Sequence, residues 1–240
     1  MDWEHDGQGQ GWVRRLGRMR AGAPALAALY ESAGAAPDAP LLLTQHGGSS
    51  HKCGRDVEQL VQALCQPHQV RLASLDGPVH GSRCPGDAAD APSVRARFFD
   101  HWGAGDGGVA AQVADWRELL DRLLAEFRPR AIVWVGMSMG TAYGLPLVAQ
   151  EPRIARAVLG MWGTSFANSD PLLAHARATA CPVLWQMKWD DELFDRPGQL
   201  ALFDALGSAD KRLHAYTGGH VPVAGEQMAD LVRFALDGIA

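Results

Sequence analysis

The chain has 240 residues, of which 47% are hydrophobic and 20% are charged, as is typical of one sizeable globular domain. Its net charge of −5 and its pI near 6.0 exclude nucleic acid as the main partner, because phosphate binding needs a basic surface. No apolar stretch approaches the ~18 residues of a transmembrane helix, so we expect no membrane span.

The cysteine pattern bears on the compartment of the protein. Cys53, Cys65, Cys84 and Cys181 are scattered without CxxC spacing. This pattern argues against a zinc ribbon or a disulfide framework and indicates free thiols in a reducing compartment. The polar, acidic N-terminal sequence lacks the layout of a signal peptide. We therefore expect a cytoplasmic protein.

Short apolar runs alternate with segments of helical periodicity along most of the chain. The predicted strands are Leu41–Gln45, Val70–Leu75, Ala131–Val135, Ala157–Leu159, Val183–Met187 and Lys211–Tyr216. The predicted helices are Asp56–Cys65, Gln112–Phe127, Thr141–Gln150, Pro171–Ala178, Pro197–Leu206 and Glu226–Leu236. Such alternation predicts right-handed βαβ crossovers and an α/β fold, with a mostly parallel sheet covered by helices on both faces.

Three other segments complete the predicted organisation. Leu26–Ser32 is predicted to be an edge strand that precedes the parallel part of the sheet. Residues 1–22 are expected to form a loosely attached leader, and residues 23–240 a single domain. Within that domain, residues 84–110 form a long insertion rich in Gly, Ala, Asp and Pro. Because long connections in compact domains are usually functional, we predict that this insertion is a lid.

The sequence GMSMG, Gly136–Gly140, follows the buried-type strand AIVWV and leads into the helical segment TAYGLPLVAQ. A G-x-S-x-G motif between a strand and a helix is typical of a nucleophile elbow. The tight turn holds the serine in strained backbone geometry and exposes its hydroxyl at the positive end of the following helix. Ser138 is therefore the predicted nucleophile.

A nucleophilic serine needs a general base, and the base needs an acidic group that orients it. Asp190 and Asp191 lie just past the predicted strand VLWQM, and Asp191 is preferred, with Asp190 as the alternative. His220 lies in the Gly-rich loop GGHV after the last predicted strand. His214 lies within that strand and is a poorer candidate for the base.

In their order along the chain, HGG, GMSMG, WDDEL and GGHV resemble the motifs of α/β-hydrolases. The chain is similar to the small single-domain carboxylesterases and dienelactone-hydrolase-like members from about Leu26 onwards. The resemblance implies an α/β-hydrolase fold with catalytic loops at the carboxyl ends of the strands and no large separate cap domain. Dienelactone hydrolases proper use cysteine as the nucleophile, so Ser138 indicates a serine esterase or thioesterase relative.

The resemblance also implies an oxyanion hole, formed by the loop HGGSS and the residue after the nucleophile. Its donors would be the backbone N–H groups of Gly48 and Met139, and His46 would brace the loop. A second loop, DGPVHGSR, resembles a stretch that braces neighbouring loops in hydrolases, so we expect a structural role for its polar residues. Three aromatic residues are expected to line the substrate pocket: Trp162, Trp189 and Phe194.

Together these features predict a serine hydrolase that cleaves a carboxylic ester through Ser138, His220 and Asp191, with an acyl-enzyme intermediate. One alternative is a thioesterase acting on acyl-carrier or CoA thioesters. Another is a low-turnover ligand-binding protein on the hydrolase fold. The expected partner is a small-molecule ester or thioester, with no nucleic acid, no membrane, and no metal or organic cofactor.

Overall fold

The computed structural model describes residues 1–20, 22–84 and 90–239. Ala21 of the predicted leader, residues 85–89 of the predicted insertion, and Ala240 lie outside the described residues. The strands are β1 (Asp2–Gly9), β2 (Trp12–Arg18), β3 (Ala27–Ser32), β4 (Leu41–Gln45), β5 (Arg71–Leu75), β6 (Ile132–Met137), β7 (Arg156–Gly160), β8 (Val183–Lys188) and β9 (Lys211–Tyr216). The helices are α1 (Arg55–Leu64), α2 (Ala91–Gly103), α3 (Val109–Glu126), α4 (Met139–Gln150), α5 (Leu172–Ala178), α6 (Arg196–Ala205) and α7 (Gly225–Leu236).

All of these strands belong to one sheet, in the order β1-β2-β3-β5-β4-β6-β7-β8-β9. The pairs from β5 through β4 and β6 to β9 are parallel, and the pairs among β1, β2, β3 and β5 are antiparallel. Helices α1 and α7 pack on one face, and α3 to α6 contribute to the core on the other. The predicted α/β fold with a mostly parallel sheet and helices on both faces is therefore confirmed.

The parallel strands can be recognised in the sequence as apolar runs because both of their faces are buried. Every residue of β4, β5 and β8 is buried, including polar ones such as Thr44 and Gln186. Strands covered on both sides carry near-continuous apolar sequence instead of alternating apolar and polar residues. The predicted bounds of β4 and β9 match the structure, and each predicted helix is present with its ends shifted by a few residues.

Helix α2 was not predicted, because its segment reads as a loop by composition. The helix begins with a recognisable signal: the side chain of Asp90 accepts a hydrogen bond from the Ser93 N–H at 2.9 Å, and Pro92 lies in the first turn. Asp at the N-cap and Pro in the first turn are both favoured at helix starts. Phe98 and Trp102 anchor the helix because both are almost fully buried.

The expectation of a loosely attached leader is wrong. Residues 2–18 form the hairpin β1–β2, and β2 pairs with β3 from Trp12 to Gly17. The Trp3 indole N–H and the Arg15 guanidinium both contact Glu126 at the end of α3, at 2.8 and 3.2 Å. Trp12 packs edge-on against Tyr30, with 5.4 Å between ring centroids. These contacts make the hairpin part of the sheet.

Because the hairpin pairs with β3, this strand does not lie at the edge of the sheet. This strand lies between β2 and β5 and is antiparallel to both, so the prediction that Leu26–Ser32 is an edge strand is wrong. Its residues Ala27 to Tyr30 are fully buried.

None of the helices in the described part of the chain is long and apolar enough to cross a membrane.

Deleting residues 1–18 should destabilise the protein, because it exposes β3 and removes the partly buried side chains of Trp12 and Leu16. Their burial contributes on the order of 2 kcal/mol. A loss of that size lowers the melting midpoint of a domain this long by about 4–8 °C. Differential scanning calorimetry of the deleted and full-length chains measures the difference. An unchanged midpoint would contradict the assignment of the hairpin to the stable sheet.

Candidate active site

Ser138 lies at a sharp turn between β6 and α4, with φ of 56° and ψ of −120°. A positive φ is uncommon for a residue other than glycine and stores strain of order 1–3 kcal/mol. The flanking residues must be small. A Cβ atom on Gly136 would lie 2.6 Å from the Gly140 carbonyl oxygen, and one on Gly140 would lie 2.7 Å from the Gln45 carbonyl oxygen. The G-x-S-x-G spacing is therefore a steric requirement of this turn.

Hydrogen bonds to β7 and within α4 hold the strained turn in place. The Ser138 N–H donates to the Gly160 carbonyl at 2.9 Å, and the Ser138 carbonyl accepts from the Thr141 N–H at 2.8 Å. The Thr141 hydroxyl accepts from the Gly160 N–H at 2.7 Å. The backbone N–H and carbonyl of Ser138 are thus paired, and its side chain takes no part in these bonds.

Three predicted side chains meet at this turn. The Nε2 atom of His220 lies 3.0 Å from the Ser138 hydroxyl, and its Nδ1 lies 2.9 Å from Oδ2 of Asp191. Because Asp191 can only accept at this distance when ionised, Nδ1 carries the proton and Nε2 can accept from the serine. The Asp191 side chain is 1% exposed and that of His220 is 14% exposed. A serine hydroxyl, an imidazole and a carboxylate are thus connected by two hydrogen bonds in sequence.

The structure distinguishes Asp191 from Asp190. The second carboxylate oxygen of Asp191 accepts from the backbone N–H groups of Leu193 and Phe194, both at 2.9 Å, which fixes its orientation toward His220. Asp190 is exposed, and its carboxylate accepts only a longer bond of 3.3 Å from the Gly218 N–H. The alternative acid, Asp190, is therefore not in contact with His220.

Glu192 holds the histidine loop and was not identified from the sequence. Its carboxylate accepts the His220 backbone N–H at 2.8 Å, and this bond holds the pKa of Glu192 below its ordinary value. A Cβ atom on Gly219 would lie 2.5 Å from the same carboxylate, so a larger residue there would displace the Glu192 side chain. The signal in the sequence is the position of Glu192 directly after Asp191.

The two predicted oxyanion donors lie in different elements: Gly48 lines the cavity that also contacts Ser138, and Met139 follows Ser138 at the start of α4. Within the described residues, the N–H groups of Gly48 and Met139 have no hydrogen-bond partner. By contrast, the neighbouring Gly47 N–H donates to Asp56 at 2.8 Å, and the Ser50 hydroxyl also bonds to Asp56. Asp56, at the start of α1, therefore fixes the loop while the donor of Gly48 stays free.

Buried histidines brace this loop from below. His46 accepts the Gly77 N–H on Nε2 at 3.0 Å, so its Nδ1 carries the proton and donates to the Gly47 carbonyl at 2.8 Å. His80 contacts the Gly48 carbonyl through Nε2 at 3.1 Å. Burial lowers the pKa of both histidines, and that of His46 falls well below its ordinary value. His46 therefore lies in the loop's support and does not touch Ser138.

A buried ion pair links the loop to its neighbour after β5. The Lys52 ammonium lies 2.8 Å from the Asp76 carboxylate and 2.8 Å from the Ser82 hydroxyl. Asp76 also accepts the backbone N–H groups of Lys52 and Ser82, and Arg83 donates to its carbonyl oxygen at 2.9 Å. The polar residues of DGPVHGSR thus form structural contacts between the two loops.

A cavity of about 490 Å³ opens at Ser138 and also contacts His220 and Gly48. Helix α2, from the predicted insertion, contributes Phe98 and Phe99 to its wall. A Cβ atom on Gly48 would lie only 2.8 Å from the Phe98 ring, so the wall approaches the loop closely. That this insertion opens and closes as a lid stays a prediction.

The three aromatic residues expected in the pocket do not line this cavity. Trp162 and Phe194 are fully buried and pack on each other, with 4.4 Å between ring centroids. Phe194 instead supports the His220 ring from behind, at 5.3 Å between centroids. Trp189 is 48% exposed and lies under the Arg196 guanidinium at 3.6 Å. The pocket prediction is wrong because a place on loops near the nucleophile did not determine which way these rings point.

The loop after β4 carries residue types that can bind metal ions, namely His46, His51 and Cys53. Among residues 1–20, 22–84 and 90–239, no group of three or more His, Cys, Asp or Glu side chains is arranged to hold a metal ion. His46, His51 and Cys53 therefore do not form a metal centre in this part of the chain. Cys53 instead lies near Tyr30 and Arg14, and burial raises the pKa of its thiol.

Solved structures are similar to the chain over its whole length. A cold-adapted esterase from an Arctic intertidal metagenomic library, in a PEG-bound complex, is 33% identical with a TM-score of 0.84, over 100% of this chain and 99% of that one. A Klebsiella pneumoniae protein assigned as a dienelactone hydrolase is 12% identical with a TM-score of 0.71, over 94% and 97% of the two chains. Est1E from Butyrivibrio proteoclasticus, with bound ferulic acid, is 14% identical with a TM-score of 0.67, over 94% and 96%. No protein-family model matches the sequence, and a search of curated proteins finds no relative.

The buried His46 predicts a loss of stability below about pH 6.5. Its folded pKa lies below the ordinary value, so in that range the unfolded state binds a proton that the folded state does not. One such histidine lowers the free energy of unfolding by about 1.4 kcal/mol between pH 7.5 and pH 5.5. We therefore expect urea denaturation to show a difference in free energy of unfolding between the two pH values that is about 1.4 kcal/mol smaller in His46→Gln than in the wild type.

The exposed His5 offers a matched control for that experiment. His5→Gln should keep the wild-type difference between the two pH values. If His46→Gln and His5→Gln show the same difference, the buried neutral histidine is not the source of the pH dependence.

Proposed function

Because the chain belongs to the α/β-hydrolase superfamily as an esterase-like member, we propose that it is a serine hydrolase that cleaves carboxylic esters. The observation that carries the proposal is the continuous set of hydrogen bonds from Asp191 through His220 to Ser138, at 2.9 and 3.0 Å. This arrangement activates a serine that would otherwise be a weak nucleophile. The cavity that opens at Ser138 gives a small ester access to it.

Acylation begins when the Ser138 hydroxyl oxygen attacks the ester carbonyl carbon and His220 Nε2 takes the hydroxyl proton. The carbonyl oxygen becomes an oxyanion, which the N–H groups of Gly48 and Met139 stabilise. Collapse of the tetrahedral intermediate breaks the bond to the alcohol oxygen, which takes the proton from His220. The products of this stage are the free alcohol and an acyl group bonded to Ser138.

Deacylation repeats these steps with water as the nucleophile. His220 takes a proton from the water, whose oxygen attacks the acyl carbon, and the same two N–H groups stabilise the second oxyanion. Collapse returns the proton to Ser138 and releases the carboxylic acid. Throughout, Asp191 stabilises the protonated imidazole and keeps Nε2 directed at the serine.

The rigid support of the loop matters for the rate. Removing one oxyanion donor typically costs on the order of 10²–10³ in rate, because the donor must already be oriented when the charge develops. The bonds from Gly47 to Asp56 and from Gly48 to His80 hold the loop before substrate arrives. We therefore assign Asp56 and His80 as positioning residues that act through the backbone of the loop.

A thioesterase is the second candidate, and the mouth of the cavity favours it. Arg55 and Arg95 line the cavity, both are exposed, and neither has an acidic partner among the described residues. Two unpaired guanidinium groups suit an anionic substrate such as the phosphate-bearing arm of CoA. Comparing kcat/KM for butyryl-CoA and p-nitrophenyl butyrate distinguishes the two: a higher value for the thioester would favour the thioesterase.

Ser138→Ala should lower kcat for p-nitrophenyl butyrate by at least about 10⁴-fold, because the nucleophile of both stages is removed. A fluorophosphonate probe should label the wild-type protein at Ser138 and leave the variant unlabelled, as read by mass spectrometry of the modified peptide. Wild-type protein that is neither labelled nor active would instead indicate a ligand-binding protein on the hydrolase fold.

Asp191→Asn should lower kcat by about 10⁴-fold, because an amide no longer holds His220 in the tautomer that accepts the serine proton. The neighbouring Asp190→Asn is the matched control, since Asp190 is exposed and does not contact His220. Steady-state kinetics on one ester measures both variants. An equal loss in the two variants would contradict the assignment of Asp191 as the orienting acid.

A further inference from the structure

The cavity continues away from Ser138 into a groove between α1 and α7, two helices that lie together on one face of the sheet. Six side chains, all aliphatic or thioether, define what we call the α1–α7 groove: Val57, Leu60, Met137, Val223, Met228 and Leu231. They come from α1, from the end of β6 next to the serine, and from the segment that follows His220. The groove therefore begins at the reacting atoms and runs along the helices.

The burial of these side chains shows that the groove presents apolar surface. Val57 and Leu231 are almost fully buried and form its floor. Leu60, Val223 and Met228 are only partly buried although they pack on the core. Apolar surface left in water costs about 25 cal/mol per Å². Concave apolar surface next to a reactive group is typical of a site that is covered when substrate binds.

The rest of the cavity has a different character. Helix α2 contributes aromatic and charged side chains, Phe98, Phe99 and Arg95, and the mouth carries His51 and Arg55. On α1, Asp56 and Gln59 also line the cavity, and the Asp56 carboxylate accepts from the Gly47 N–H and the Ser50 hydroxyl. By contrast, the residues of α7 that line the cavity, Met228 and Leu231, are both apolar.

We propose that the α1–α7 groove binds an aliphatic chain of the ester, and that Leu60 and Met228 determine how long a chain it accepts. This inference rests on the proposed ester hydrolysis at Ser138. The flexible thioethers of Met137 and Met228 adapt to a chain without a fixed shape. Each methylene buried in the groove adds about 0.8 kcal/mol of binding, which is about fourfold in kcat/KM when it is realised in the transition state.

Two substrate series test the proposal and identify which side of the ester carries the chain. The first consists of p-nitrophenyl acetate, butyrate, hexanoate and octanoate, and the second of methyl, butyl and hexyl acetate. In one of the two series kcat/KM should rise by about fourfold per methylene until the groove is filled. A rise in the first series assigns the groove to the acyl chain, and a rise in the second assigns it to the alcohol. Flat or falling values in both series would overturn the proposal.

Variants that fill the groove test its location. In the series that responds, chain preference is measured as kcat/KM for the substrate with the six-carbon chain divided by kcat/KM for the shortest substrate. Met228→Trp and Leu60→Trp should each lower this ratio by at least about 10-fold, which corresponds to the loss of two buried methylenes. Ala229→Trp and Gln62→Trp are matched controls, because both positions are exposed on the same helices and do not line the cavity. An equal ratio in the groove and control variants would overturn the proposal.

Met228→Ala and Leu60→Ala keep the proposal testable if the tryptophan variants do not fold. Both should extend the preference toward longer chains, and circular dichroism should confirm that they are folded. Failure of the proposed function is recognised separately: the wild type would then neither hydrolyse p-nitrophenyl acetate nor be labelled at Ser138, and the groove inference would fall with it. Labelled, active enzyme with no chain-length dependence would contradict the groove alone.

Discussion

The conformation of Ser138 is the constraint on which the rest of this structure depends. A backbone with φ of 56° is unfavourable by itself, so the surrounding structure has to enforce it. Enforcement comes from β6, whose residues 132–136 are buried, and from α4, which is buried along most of its length. The close approach of Gly136 to Gly140, and of Gly140 to Gln45, ties the turn to the neighbouring strand β4. Strain at one residue is thus maintained by the core of the whole sheet.

The loops above the sheet are held by buried polar contacts. Asp56 and Asp76 each bind backbone N–H groups and a side chain of the loop after β4, and His46 connects that loop to the one after β5. Buried polar groups are costly unless they are paired, and here each contact satisfies a donor that the loop would otherwise leave open. The outcome is a loop with little freedom, in which the Gly48 N–H remains unpaired. In the proposed reaction, a donor held in this way stabilises the oxyanion without having to reorient.

Much of the fold could be predicted because the central strands are buried on both faces. Continuous apolar runs such as those of β4 and β8 are visible in one dimension, and the glycines around Ser138 mark a turn that tolerates no other residue. The hairpin of residues 2–18 was missed because it pairs only at the edge and carries polar, exposed residues. Helix α2 was missed because its stability comes from Phe98 and Trp102 packing into a distant aromatic cluster, not from local periodicity.

The candidate site likewise has some features that the sequence determines and others that depend on the tertiary structure. The sequence by itself determined the elbow at Ser138, the order in which an acid and a histidine follow it, and the glycine loop after β4, because each depends on short-range spacing. Only the tertiary structure decided between Asp190 and Asp191, since the choice depends on which carboxylate is buried beside His220. It also decided that Trp162 belongs to the core and that the apolar groove lies between α1 and α7. Side-chain direction and cavity shape arise from contacts between distant segments, and one-dimensional spacing does not encode them.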